Sequence, residues 1–543
     1  LSIINQVHAM ANSHSQTSAD ERDWQLLMPL AELESQPVTM KRVGGKQIAV
    51  FKTAAGPRAC DNRCPHEGYP LSEGSLSPEC VLTCNWHNWK FNLETGENLY
   101  GGDRLRTYAL EIRADEIWID MTEAPYESRY VSITGSLRDA FDDYSYDRIA
   151  REIARLGRLG ADPLDALRLA IDWSWQKMEF GWTHAYAGMA DWLQLYDEHP
   201  DDAETQLVCL VESVAHVAFD VLREPEYEFT DAVTAFDADR LVADIEAENE
   251  NAAVAAIRGG IRDGLKFADF EQALSRAALQ HYNDFGHSLI YVSKAGALIE
   301  RLGIGLMEPL LLALLRELVY ASREDKIPEF RGYRGQLKKW GRHKNQNPVP
   351  GLWRRQNINK SLEATIACSN SPPQQIYHAL LLANANNLLA FDISQQDKTH
   401  VSVSGNVGWL DFTHGLTFAA AVRQQCSRFP ELWPQGLLQM ACFNGRNAGF
   451  TTRELALDQW RPDDVGSKME KLLDRVLDHG QGEHIVAVHL LKTALAVRRE
   501  IHGLERSDAE LLVAALTRFF ESPLKRRQPR RTAFQSLQFV AKE

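Results

Sequence analysis

The chain has 543 residues, 44% hydrophobic and 24% charged, with a formal net charge of -15. That length exceeds one ordinary domain and the apolar share is too high for general disorder, so two or more folded domains are expected. The acidic balance argues against a nucleic acid or an anionic membrane surface as partner, since both recruit basic faces.

No apolar run approaches the roughly 20 residues that cross a bilayer. The nearest, from Leu306 to Ala321, is broken by Glu308, Arg316 and Glu317. Residues 1–20 are polar after a short apolar start and lack a signal peptide's basic flank and long apolar core. They are expected to be a flexible lead-in or an expression remnant. Eight cysteines are too sparse for a disulfide scaffold, yet half of them fall between positions 60 and 84.

There, Arg63-Cys64-Pro65-His66-Glu67-Gly68 and Thr83-Cys84-Asn85-Trp86-His87-Asn88 set C-x-H, seventeen intervening residues and C-x-x-H. Two loops that each supply one thiolate and one imidazole suit a two-iron cluster of mixed ligation, with Cys64 and Cys84 on one iron and His66 and His87 on the other. Two Cys and two His also suit tetrahedral zinc. Pro70 to Gly74 turns the chain between the loops, and Thr95-Gly96-Glu97 and Ile117-Trp118-Ile119-Asp120 read as hairpin strands. From about Trp24 to Met121 the segment resembles the Rieske ferredoxin family. The resemblance implies a small antiparallel β domain, residues 21–125, with a [2Fe-2S] cluster at its tip. Cys60 and Cys80 lie outside the motif and are expected to be buried thiols. A Rieske cluster moves one electron and makes no bonds, so the rest of the chain must use that electron.

Residues 126–144 read as a linker. From 145 to 522 the pattern changes to long stretches of helical periodicity, predicting a large all-α catalytic domain. Candidate helices run from Ser145 to Leu159, Pro163 to Met178, Ala203 to Leu222, Glu271 to His281, Met307 to Tyr320, Pro373 to Phe391, Gly415 to Phe429 and Ile485 to His502. The fold class is therefore multidomain, a small antiparallel β domain followed by a large all-α one. Rieske ring oxygenases hold iron through D-x-x-H followed by a second histidine. Asp284 to His287 and Asp411 to His414 give D-x-x-H, but no histidine follows at the required distance, so that catalytic domain is not expected.

Another pattern recurs. Gly181-Trp182-Thr183-His184, Asp284-Phe285-Gly286-His287 and Asp411-Phe412-Thr413-His414 each place an aromatic and a small residue before a histidine. The following helices carry Ala, Gly, Ser and Thr, which let helices approach closely enough for inward imidazoles to converge. His489 and Lys492 share a helix face at i, i+3. Such histidines are ordinary core residues or, together, a metal site of the kind bundles build. Their order and spacing resemble the questin-oxidase-like family, a mostly α group that includes enzymes cleaving anthraquinone rings. That resemblance implies a mononuclear non-haem iron held by His184, His287, His414 and His489, with Lys492 carboxylated. A lysine desolvated on an apolar helix tends to be neutral, and a neutral amine can capture carbon dioxide; a snorkelling surface lysine is the alternative. His216, His281, His378 and His484 are second-choice ligands, while His8, His14, His199 and His400 sit in polar contexts.

Two basic stretches stand out, Arg331 to Arg355 (with Lys338, Lys339, Arg342, Lys344 and Arg354) and a tail, 523–543, with Lys525, Arg526, Arg527, Arg530 and Arg531. They read as solvated or as docking sites for an acidic electron donor. The expected function is a Rieske-type oxygenase whose cluster feeds a histidine-ligated iron that activates O2 toward an aromatic or polyketide-like substrate. The alternative is an electron carrier or redox sensor with a helical scaffold. No G-x-G-x-x-G opens a helix after a strand, so an external reductase or ferredoxin is expected as donor. Neither a nucleic acid nor a membrane is expected as partner, a cytoplasmic location suits the thiols, and a homo-oligomer is allowed.

Overall fold

The computed structural model describes residues 22–100, 102–280, 284–342, 346–452, 457–525 and 527–543. The lead-in with His8 and His14, and His281, Lys344 and Arg526, lie outside the described residues. The chain divides into two compact units, Leu1–Ala166 and Leu167–Glu543.

The first unit begins with β1 (Trp24–Pro29), β2 (Val38–Val43), β3 (Lys46–Thr53), β4 (Gly56–Asp61) and β5 (Ser75–Leu76). It continues with β6 (Val81–Thr83), β7 (Lys90–Asn92), β8 (Thr107–Tyr108), β9 (Leu110–Arg113) and β10 (Glu116–Asp120). They pair antiparallel in three sheets of order β1-β10-β9, β2-β3-β4-β8 and β5-β6-β7. Strand parity separates two cores, because successive side chains leave a strand on opposite faces. From β3, Ile48 and Val50 join Met28, Ile117 and Ile119 on one side. Ala49 and Phe51 join Leu71, Leu82, Cys64 and Cys84 on the other. The two motif cysteines are thus anchored from within an apolar core.

Residues 126–144, expected as a linker, instead form helix α1 (Tyr126–Asp142), followed by α2 (Tyr146–Leu159). The buried stripe of α1 is thin, Tyr130, Leu137, Ala140 and Phe141 among polar residues, and a thin stripe is easily read as linker. The Asp103 carboxylate joins the β module to α2, accepting from Arg151 at 2.7 Å and Arg155 at 2.8 Å. Cys60 is fully buried, whereas Cys80 is only partly so, in a turn at φ 60°.

Among the described residues the second unit holds helices, turns and one isolated bridge, Phe391 to Thr451. Met307–Tyr320 forms as expected, and Pro373–Leu389 is buried on every face. Four helices matter most: α3 (His184–Glu198), α4 (His287–Leu302), α5 (Trp409–Arg428) and α6 (His484–Ile501). They pack in a ring in which α3 meets α4, α4 meets α5, α5 meets α6 and α6 meets α3. The basic tail is not merely solvated: Pro529–Val540 is helical, and the buried Arg531 donates to the carbonyls of Lys398 and Gln395. No helix among the described residues is long and apolar enough to cross a membrane.

Burial pushes the Asp103 carboxyl up, but Arg155 and Arg151 hold it below the usual carboxylate range. Asp103→Ala should lower the stability of the first unit by about 2 kcal/mol, because the arginines that lose their partner are only partly buried. The group's depressed value gives its contribution above the ordinary carboxylate range and removes it in acid. Calorimetry should therefore show the difference from the parent narrowing as pH falls below about 4.

Candidate metal centres

The two loops of the first unit are built alike. Cys64 N–H donates to Tyr69 O at 2.8 Å and Gly68 N–H returns to Cys64 O at 2.8 Å. Cys84 N–H donates to Trp89 O at 2.8 Å and Asn88 N–H returns to Cys84 O at 2.9 Å. The fourth residue after each cysteine is left-handed, Gly68 at φ 79° and Asn88 at φ 61°, which glycine and asparagine tolerate best. Both cysteines are buried, and burial, with Cys84 adding to it, pushes the Cys64 thiol up to about 11. The Cys64 thiol would reach the thiolate state only against a cation. His66 and His87 meet edge to face at 4.9 Å, and His66 stacks on Trp89 at 4.4 Å. His87 is more open, its side chain 39% exposed. Buried thiols on one side and imidazoles on the other fit a cluster that takes two ligands of each kind.

In the second unit, His184 and His287 open α3 and α4, while His414 and His489 lie in the second turns of α5 and α6. Thr183 caps α3, its hydroxyl oxygen accepting from Ala185 N–H. Gly286 at φ 78° turns the chain into α4. All four imidazoles converge, with ring centroids 4.6 Å apart for His184 and His287, 4.5 Å for His287 and His414, and 4.8 Å for His184 and His489. One nitrogen each from His184, His414 and His489 lies within 4.8 Å of the others. His414 Nδ1 and His489 Nδ1 each lie 2.6 Å from the carbonyl oxygen one turn earlier, Leu410 O and Ile485 O. Carbonyls only accept, so both rings carry hydrogen on Nδ1 and, when neutral, a lone pair on Nε2.

Those inner nitrogens crowd together. His414 Nε2 is 2.7 Å from His287 Nε2, 3.4 Å from His489 Nε2 and 3.3 Å from Lys492 Nζ. His184 Nε2 is fully buried without a hydrogen-bond partner. Burial first, then the charge of Lys492, hold His184, His414 and His489 well below the usual imidazole range. Neutral rings with convergent lone pairs repel unless a proton or cation lies among them, so the donor set fits a metal ion. Lys492 is 6% exposed, which removes the snorkelling alternative.

The second-choice histidines sit elsewhere. His216 and His484 stack at 5.1 Å beside Glu212 and Asp220, and His378 pairs with Asp508 at 2.9 Å. Asp411 pairs with Arg446 and caps α5 through Gly408 N–H, so its D-x-x-H is a helix start. Tyr291 was not legible as a site residue; its hydroxyl lies 3.4 Å from His184 Nδ1 and its ring stacks on His287. Its i+4 spacing from His287 was the available signal.

A family model for the Rieske [2Fe-2S] domain matches residues 23–104. The chain is 32% identical over 108 residues to a 4beta-methylsterol monooxygenase of Methylococcus capsulatus, covering 18% of this chain and 29% of that protein. It is 34% identical over 79 residues to the 3-phenylpropionate/cinnamic acid dioxygenase ferredoxin subunit of Shigella boydii, 14% of this chain and 74% of that one. Among solved structures, the ferredoxin of carbazole 1,9a-dioxygenase from Nocardioides aromaticivorans matches at 22% identity and a TM-score of 0.17, over 18% of this chain and 98% of that one. The chain thus spans less than a third of the monooxygenase and about three quarters of the Shigella ferredoxin subunit.

Convergence of the imidazoles depends on close helix approach. A Cβ on Gly188, one turn after His184, would lie 2.4 Å from Val488 Cγ2, beside His489. Gly188→Ala should push α3 from α6 and weaken metal retention in the second unit about tenfold. Titration of apoprotein with ferrous iron, with the first unit's absorbance as an internal control, measures it.

Proposed function

Because the chain belongs to the Rieske [2Fe-2S] family over residues 23–104, we propose that it is an O2-dependent oxidoreductase. In this reading the cluster passes electrons to a mononuclear non-haem iron held by His184, His287, His414 and His489. What carries it is the meeting of His184, His414 and His489 around one point in a chain that also holds a one-electron module. An imidazole set suits iron, copper, nickel or zinc. A one-electron donor favours a metal that changes oxidation state, which zinc does not. The resemblance to the questin-oxidase-like family supports iron, and relatives named as a monooxygenase and a dioxygenase ferredoxin subunit support a link to O2.

Bound iron would supply O2 activation. The chain's own residues do the rest. Cys64, Cys84, His66 and His87 hold the cluster, and the Nδ1 hydrogen bonds of His414 and His489 keep their Nε2 atoms facing inward. Lys492, once its ammonium has given up a proton, captures carbon dioxide with loss of a second proton, and the carbamate oxygen would supply an anionic ligand that the imidazoles lack. An external reductase or ferredoxin delivers electrons in a reducing cytoplasm, and an aromatic or polyketide-like compound is oxidised.

Iron and acid-labile sulfide analysis of anaerobically purified protein tests the reading. About three irons per two sulfides is expected. Two per two would leave an electron carrier with a helical scaffold. Cys84→Ser should abolish the visible and EPR signals of the cluster. His414→Ala should keep those signals and lose the additional iron together with turnover; unchanged iron content would overturn the ligand assignment.

A further inference from the structure

The ring of four helices has a direction. In each helix the histidine comes early, while later turns of the same helices line an open cavity of about 500 Å3, through Gln194, Ala297, Gln424 and Arg499. Between cavity and histidines lies a chamber of about 20 Å3 walled by Ile290, Thr417, Ala420, Ala496 and Lys492. The volume suits one water-sized molecule. Ser293, Lys294 and Arg499 line both spaces, so the two adjoin. Lys492, at the inner end, is the neighbour of His414 Nε2 at 3.3 Å. His489, Lys492, Ala496 and Arg499 follow one another at three- and four-residue steps along one face of α6.

The charges along this route are mostly matched. Lys294 is paired with Asp191, Arg301 with Asp197 at 2.8 Å, and Arg498 with Glu198 at 2.6 Å. Glu300 stands exposed at the rim. Arg499 is only partly exposed and, among the described residues, makes no hydrogen bond or ion pair, whereas its neighbour Arg498 is held by Glu198. A cation in a helix's last turn also complements the helix dipole, but that effect is weak and is already supplied by Arg498. A planar guanidinium without a partner in an alanine-walled passage has the geometry to take a carboxylate through two parallel hydrogen bonds.

We propose that this outer cavity takes up an organic carboxylate at the approach to the histidine cluster, and that Arg499 captures its acidic group. The purpose of such a site rests on the oxygenase reading, whereas the binding itself does not. Ala190, Leu193 and Ala297 line the outer cavity, which offers an apolar body a surface without aromatic side chains.

Calorimetric titration of the full-length protein with benzoate, and with benzyl alcohol as the neutral counterpart, tests the assignment. Benzoate should bind and benzyl alcohol should not. Arg499→Gln should weaken benzoate binding about thirtyfold, the loss of a charged hydrogen-bonded pair, and Arg499→Lys should recover part of it. Arg498→Gln removes the same charge one residue away, from a side chain turned to Glu198, and should leave binding unchanged. Equal loss in both glutamine variants, or no benzoate binding by the parent protein, overturns the proposal. Repeating the titration on iron-free protein separates the two ideas: benzoate bound there through Arg499, in a chain that takes up no additional iron, sinks the oxygenase reading and leaves the carboxylate site standing.

Discussion

The second unit depends on one small interaction made twice, an imidazole Nδ1–H held by the carbonyl one helical turn earlier, Leu410 O for His414 and Ile485 O for His489. It fixes the tautomer, and so decides that Nε2 presents a lone pair inward. Everything around it serves that arrangement. The rings are buried and neutral, α3 approaches α6 across Gly188, and Tyr291 faces the Nδ1 of His184. The same geometry creates a demand. Neutral imidazoles bring no negative charge to a bound cation, and α3 and α4 begin at the site with the positive ends of their dipoles. An anionic oxygen is the missing element, and Lys492, 3.3 Å from His414 Nε2, is the side chain on which the proposed carbamate would supply one.

The first unit solves a different problem with local means. Its two loops repeat the same pair of backbone hydrogen bonds around each cysteine, so the ligands are preset by turns rather than by distant packing. The parity of β3 then puts both cysteines in one of the unit's two cores, away from the other. Rigid loops keep the ligands in place through a change of charge, which suits a group that only gains and loses an electron. The helical unit, by contrast, brings its histidines together through long-range packing, and the cavity at the later turns of the same helices is lined by alanines and ion-paired side chains.

This contrast explains what could be read from the sequence. Cys64, His66, Cys84 and His87 were legible because turn-borne ligands leave a fixed spacing. His184, His287, His414 and His489 were legible only as similar contexts, since tertiary packing brings together residues 75 or more positions apart. α3 and α4 were read as helices following His184 and His287 but without bounds, and each in fact begins at its histidine. α1 passed as linker because four buried residues in seventeen make a faint stripe. The surface alternative for Lys492 came from judging a helix by one face, whereas most of α6 is enclosed.

The histidines that were second choices show why composition alone does not make a ligand. Next to the second-choice His216 and His484, His479, which the sequence had not singled out, accepts at Nδ1 from Gln481 N–H at 2.9 Å, so its Nε2 carries the hydrogen and donates toward Glu212 at 3.2 Å. A nitrogen already carrying hydrogen offers no lone pair to a metal. His216 is driven down to about 3, chiefly by burial, and faces Asp220, whose carboxyl burial raises to about 6. Asp220 in turn accepts from the Thr183 hydroxyl at 2.6 Å. Thr183 is the cap on which α3 starts, with His184 as its first residue. The second cluster therefore reaches the histidine centre through a helix start: Asp220 orients the cap, the cap fixes the first turn, and the first turn aims His184.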